Sequence, residues 1–232
     1  MSDSAVFVQQ YKGIEDGFAI NKREIQRYAG YFRTDIGFDE ELDRILNEVI
    51  DEANEKISYK VCYRRFNLEW NDGMPKLPFE CNSQKIANFL KGSSEVVLFA
   101  ATVGLDIDRL IARYQKLSPV KALLLQAYGA ERVECLCDKF CSEFKAKVAL
   151  ESMKCTTRYS PGYCELPLDR QVDFFNLLEI NRHIGISLND SLLMTPSKSV
   201  TAFFGIGDCV GSEEKHKCSD CTKTDCEFRN VN

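Results

Sequence analysis

The chain has 232 residues, enough for one large domain or two small ones around a buried core. Hydrophobic residues make up 44% and charged residues 28%, and 13 Gly and 6 Pro exclude a collagenous or linker-dominated chain. With 30 Lys and Arg against 35 Asp and Glu the net charge is −5, a poor match for gripping a phosphate backbone, so no nucleic-acid partner is expected.

Taken in chain order, Ile20 to Tyr31 predicts a short helix, with Asn21 and Glu24 at capping-box spacing. Phe38 to Ile57 predicts a longer one, because Leu42, Ile45, Leu46, Val49, Ile50, Ala53 and Ile57 recur at three- and four-residue steps. From Tyr59 to Trp70 the pattern changes to alternation. Tyr59, Val61 and Tyr63 share one face, and Phe66, Leu68 and Trp70 continue after a one-residue slip, which predicts a strand with a bulge. Asn71-Asp72-Gly73 is a turn, and Asn82 or Ser83 is placed to cap a short helix to Leu90. Val96 to Thr102 reads as a buried strand and Ile107 to Leu117 as a helix. Ser118-Pro119 then starts a long helix to about Leu150. Arg158 to Pro167 is a loop. Asp169 to His183 predicts a helix closed by Gly185, and Ser191–Met194 and Ser199–Ile206 predict two strands joined by Thr195-Pro196-Ser197-Lys198. Helices and strands are grouped rather than strictly alternating, so the expected class is α+β. The domain expected over 1–207 is followed by a polar, cysteine-rich tail at 208–232.

No apolar run approaches the roughly 18 residues that a membrane span needs. The N-terminal residues lack a basic stretch followed by an apolar one, so the expected location is the cytoplasm, where thiols stay reduced. Eleven cysteines, an odd number, argue against a fully paired disulfide framework and leave thiols for metal or redox work.

The loop Arg158-Tyr159-Ser160-Pro161-Gly162-Tyr163 carries the most specific local pattern. Pro161 fixes φ, and Gly162 permits positive φ and a close backbone approach. Arg158 offers a planar fork suited to a carboxylate, and Tyr163 an aromatic face with a hydroxyl. On residue types alone, two readings stand: a seat for an amino-acid head group with an adjacent ring, or a structural turn with a solvated arginine.

With Pro167, and in register with Leu177-Leu178-Glu179, His183, Gly185, Leu188, Ser191, Pro196, Ser199 and Val200, this loop resembles the activation (reactivation) domain of cobalamin-dependent methionine synthase. The resemblance runs from Arg158 to Ile206, with one residue deleted between Pro167 and Leu177, and Asn21 to Tyr31 looks like the start of stand-alone bacterial members. The chain departs from the family in its N-terminal acidic ligand-contact motif and again after Gly207.

The resemblance implies a helmet-like α+β domain with a central, mainly antiparallel sheet. It implies S-adenosylmethionine in a shallow groove, placed over a cobalamin that a partner holds. A reductant such as flavodoxin or ferredoxin would reduce inert cob(II)alamin, and methyl transfer from S-adenosylmethionine would trap the product. The cobalt is the nucleophile in that chemistry, so the protein needs to position the methyl donor and tolerate its sulfonium charge. In this chain Arg158 would pair with the ligand carboxylate, Ser160, Pro161, Gly162 and Tyr163 would bind the adenosine end, and Glu134, or failing it Glu131, would face the sulfonium. The chain carries no Asp-x-His-x-x-Gly sequence, the usual cobalamin lower-ligand motif, so the expected partner is a cobalamin-binding methionine synthase or a related corrinoid protein. A module that binds S-adenosylmethionine or docks on a corrinoid protein without methyl transfer is the alternative.

Cys218-x2-Cys221-x4-Cys226, with Cys209 upstream, has spacing that lets several thiolates reach one ion. Zinc, an iron–sulfur cluster and a set of free thiols are all compatible with it. Cys135, Cys137 and Cys141 lie on the long helix and read as buried apolar residues.

Overall fold

The computed structural model describes residues 5–31, 37–163 and 165–210. Among these residues the main sheet has five strands, β1 (Phe7–Tyr11), β2 (Tyr59–Asn67), β5 (Glu95–Thr102), β6 (Lys154–Cys155) and β9 (Ser199–Gly207), in the order β1-β2-β5-β9-β6. Every neighbouring pair is antiparallel. The helices are α1 (Lys22–Tyr28), α2 (Glu40–Asn54), α3 (Gln84–Phe89), α4 (Asp106–Leu117), α5 (Pro119–Ala149), α6 (Gln171–Leu178) and α7 (Ile180–Ile184). Two small hairpins pair β3 (Glu69–Asn71) with β4 (Met74–Lys76) and β7 (Ser187–Leu188) with β8 (Met194–Thr195). This is the expected α+β architecture with an antiparallel centre.

Both faces of the sheet are covered, which explains the unbroken apolar run of β5. Val97, Phe99 and Ala101 face a core built with α1, α2, α4 and α5, while Val96, Leu98 and Ala100 face a second core built with α3, α6 and α7. On β9, Ala202, Phe204 and Ile206 join the first core and Phe203 joins the second. The same burial corrects the expected bulge. The pairing of β2 with β5 runs from Lys60↔Thr102 to Asn67↔Glu95 without an inserted residue. Tyr59, Val61 and Tyr63 serve one core and Cys62, Phe66, Leu68 and Trp70 the other. What looks like a slip in the sequence is a change in which face carries the larger apolar side chains.

Local chemistry sets the helix starts. The side chains of Asn21, Asp39, Ser83 and Ser118 accept hydrogen bonds from the backbone N–H groups of Glu24, Leu42, Ile86 and Lys121, respectively. Two expectations need correction. The helix expected over Asp169–His183 is a short 3₁₀ turn followed by two helices, because Glu179 adopts φ 44° and ψ 46° between α6 and α7. Only the far end of the strand expected over Ser191–Met194 is extended. Leu192 has φ 61° and sits in a turn, and β8 pairs with β7 rather than with β9.

The loop before β5 is seated directly on β9. Ser94 donates its N–H to the carbonyl of Ile206 at 2.8 Å, and Trp70 Nε1 donates to the carbonyl of Ser93 at 2.8 Å. A Cβ at Gly207 would lie 2.0 Å from the carbonyl oxygen of Gly92. Gly207→Ala must therefore move backbone, and we expect a loss of about 1–3 kcal/mol, as overpacking typically gives, read as a lowered urea midpoint. An unchanged midpoint would mean that the 90–94 loop is not held against β9 in solution.

Candidate functional site

Beyond β6 the chain keeps running along the edge of β9. Thr156 donates its N–H to Gly205, and Tyr159 exchanges backbone hydrogen bonds with Phe203 at 2.8 and 2.9 Å. Tyr159 faces the second core. Arg158, its neighbour, reaches α5 on the first side, where Nη2 donates to Glu134 and Nη1 to Asp138. Glu134 and Asp138 are four residues apart, so they lie one helical turn apart on one stripe of α5. Cys137 and Cys141 belong to the same stripe. Burial pushes the Cys137 thiol well above its usual range, against the lowering influence of Arg158. Burial likewise pushes Cys141 up to about 12.

After Arg158 the chain folds into a tight turn. Tyr163 donates its N–H to the carbonyl of Ser160 at 3.3 Å, with Pro161 second and Gly162 third, at φ 88°. That order is the signature of a type II turn, which requires positive φ at the third residue. Gly162 donates to the carbonyl of Leu166 at 2.9 Å, and the hydroxyl of Tyr159 donates to the carbonyl of Tyr163 at 3.3 Å. The turn leaves Tyr163 69% exposed.

A groove of about 460 Å³ opens between this turn, α5 and β9. Glu134, Arg158, Ser160, Pro161 and Tyr163 all line it, so the fold brings together five of the six residues singled out as ligand contacts. Gly162 is not on the wall. Its positive φ and its bond to Leu166 shape the turn that presents its neighbours. Glu131 is a correction. It is 4% exposed and belongs to a buried network away from the groove, where its carboxylate takes both Nε and Nη2 of Arg132 at 2.5 Å. Arg132 also donates to the carbonyls of Phe18 and Ala19, and Glu131 accepts the N–H of Asn21.

Sequence reasoning missed several groove residues. Asp138, which holds Arg158 from outside the groove, was accessible through its i, i+4 relation to Glu134. Gln171, Met194 and Thr201 line the groove only through tertiary folding and carry no local signal. Gln171 also ties α6 to the turn before β8 through the carbonyl of Leu192. From α1, Tyr28 stacks under Arg27, and its phenol is pushed up by burial and by the charge of Glu134. Tyr163 on the groove wall is exposed, as are Leu168, Val172 and Leu193 on the neighbouring segments of the chain.

Arg158 also borders a second depression of about 360 Å³, which Asp138 and Lys145 share. Cys209 is exposed at the end of β9. Cys218, Cys221 and Cys226 lie outside the described residues, and no metal-ligating cluster of three or more such side chains occurs among the described ones. Among the described residues no helix is long and apolar enough to cross a membrane.

Three comparisons with known proteins bear on this geometry. The family model described as "Vitamin B12 dependent methionine synthase, activation domain" matches residues 48–210. No curated protein sequence matches the chain. Among solved structures, the crystal structure of the MetH reactivation domain bound to AdoHcy superposes with a TM-score of 0.61 at 14% identity, covering 87% of this chain and 78% of that one.

Proposed function

This chain belongs to the family of vitamin B12 dependent methionine synthase activation domains, and from that premise we propose that it is a reactivation subunit that binds S-adenosylmethionine and would present its methyl group to the cob(I)alamin that a one-electron reductant forms from the inert cob(II)alamin of a partner methionine synthase. The observation that carries the reading is the position of Arg158, between Glu134 and Asp138 on the wall of a groove that also holds Tyr163. Two carboxylates and one guanidinium leave a local charge of −1. S-adenosylmethionine carries a sulfonium, an ammonium and a carboxylate, for a net charge of +1. The groove volume falls within the range of about 300–1,000 Å³ usual for small-ligand sites.

In this reading the chain's own residues bind and orient. The Arg158 fork takes the ligand carboxylate while Glu134 and Asp138 keep the guanidinium aimed. Glu134 faces the sulfonium, which favours the charged donor over its neutral product. The Ser160–Tyr163 turn holds the adenosine end. Arg158 would use contacts it already makes to a folded helix, so little side-chain ordering remains to be done on binding. When bound to its partner, cobalamin supplies the nucleophile for the methyl group. The exposed Tyr163 on the groove wall supports docking, because exposed apolar surface favours association with another surface.

The test is methyl transfer itself. The chain, S-adenosylmethionine with a labelled methyl group and a strong one-electron reductant are combined with a purified cob(II)alamin-loaded methionine synthase. The expected result is label on the cobalamin that depends on this chain. Ligand binding without transfer to any corrinoid protein would instead make the chain a binding or docking module.

A further inference from the structure

We propose that a depression between the β3–β4 hairpin, α3 and the 90–94 loop binds a nucleoside monophosphate. It measures about 540 Å³, a size usual for small-ligand sites, and shares no wall residue with the groove around Arg158. Three kinds of group meet there. The first is an aromatic ring. Trp70 packs against the second core, and its Nε1 donates to the carbonyl of Ser93 at 2.8 Å. With the indole N–H engaged, what Trp70 offers the depression is its ring, on which any base can stack. The second is a pair of amides. Gln84 and Asn88 are exposed and four residues apart on α3, so they share a face. Gln84 Nε2 donates to Asn88 Oδ1 at 3.3 Å. That bond orients both amides and leaves Gln84 Oε1 as an acceptor beside the Asn88 Nδ2 donors. An acceptor next to a donor matches the edge of a nucleobase, where a donor and an acceptor lie side by side.

The third is a cation. Among the described residues on the wall Lys91 alone is charged, and its ammonium has no ion-pair partner among the described residues. With no acid on the wall, a phosphate meets only the positive charge, whereas a cationic ligand would find no counter-charge. The loop that carries Lys91 is held before a ligand arrives. Gly92 turns with φ 82°, Ser93 donates its N–H to the carbonyl of Leu90 at 2.9 Å, and Ser94 is bound to Ile206 of β9. Little backbone ordering therefore remains to be done on binding. The Ser93 hydroxyl lies against Gly205 of β9 and takes no part in this recognition. Inorganic phosphate would leave Trp70 and the amides unused, and a neutral aromatic molecule would leave Lys91 unused. A base joined to a phosphate uses all three.

This site does not depend on the reading of the groove. Trp70 is the single tryptophan of the chain, so its fluorescence reports on this depression. The experiment is titration of the full chain with adenosine monophosphate, read as tryptophan quenching, and saturable quenching is expected. Lys91 and Asn88 are exposed, so Lys91→Gln and Asn88→Ala should fold normally. Lys91→Gln should raise the Kd about tenfold, the usual effect of losing one charge-assisted hydrogen bond, and Asn88→Ala should raise it about fivefold. Adenosine should bind the native chain about tenfold more weakly than its monophosphate, and ribose phosphate, which has no base, should not compete. Arg158→Ala should leave the affinity for adenosine monophosphate unchanged. Absence of saturable quenching, an unchanged affinity in Lys91→Gln, full competition by ribose phosphate, or loss of binding in Arg158→Ala would each overturn the proposal. S-adenosylmethionine titrated against Arg158→Ala reports separately on the groove.

Discussion

Arg158→Ala is expected to weaken S-adenosylmethionine binding by about 10- to 100-fold, the range given by losing hydrogen bonds to a charged group. The direction follows from what the variant leaves behind. Glu134 and Asp138 stay on the same stripe of α5 without the cation that now lies between them. They repel the ligand carboxylate but still attract its ammonium and sulfonium. The loss should therefore depend on the ligand. Decarboxylated S-adenosylmethionine should bind the variant as well as it binds the native chain, or better. Glu134→Gln should reverse the preference, weakening S-adenosylmethionine more than neutral-sulfur S-adenosylhomocysteine. Calorimetry with the three ligands separates these cases. Equal losses for all three would mean that Arg158 holds the turn in place and does not read the carboxylate.

Arg132→Ala is expected to cost about 3–5 kcal/mol of stability, the usual penalty for removing one partner of a buried ion pair. The Arg132 side chain is fully buried and that of Glu131 is 5% exposed. Removing the guanidinium leaves a carboxylate with no counter-charge in the core and takes donors from the carbonyls of Phe18 and Ala19. Those carbonyls belong to the segment that leads into α1, so the variant should also release this segment from α5. Urea unfolding reports the first effect and amide exchange at residues 18–25 the second. The double variant Glu131→Leu with Arg132→Met should recover most of the loss, because a well-packed apolar pair of similar volume replaces the ion pair without stranding a charge. If the single variant kept the native midpoint, the pair would not be what fastens this segment.

The parts of the fold that were legible in the sequence are those governed by near neighbours. Asn21, Ser83 and Ser118 act within one turn of themselves, so these helix starts could be read from residue type and spacing. The Pro161-Gly162 turn was legible for the same reason. Glu179 was not, because nothing local in Leu178-Glu179-Ile180 demands left-handed backbone. Packing demands it: Leu178 and Ile180 are both fully buried in the second core, and the break lets both reach it. β1 and β6 gave no usable signal, one being half exposed and the other two residues long. Within the groove, Arg158, Ser160, Pro161 and Tyr163 came from one contiguous motif. Glu134 was chosen from its place on the long helix. Which of Glu134 and Glu131 reaches the groove depends on how α5 packs, and only the fold fixes that. Gln171 and Met194 reach the groove from other elements and were out of reach of any local rule.

The stretch from Lys154 to Tyr159 has a second consequence. An exposed long strand at the rim of a sheet is a template for pairing with another molecule. β9 is nine residues long and apolar on both faces, and it would be such a template if left bare. The chain that carries Arg158 to its place covers that rim first, through Thr156 and Tyr159. Of this cover only two residues form a regular strand, too short to invite a neighbour in turn. The same few residues that build the groove thus also cover the β9 edge, so a change that loosens this stretch is expected to disturb the groove and bare that edge together.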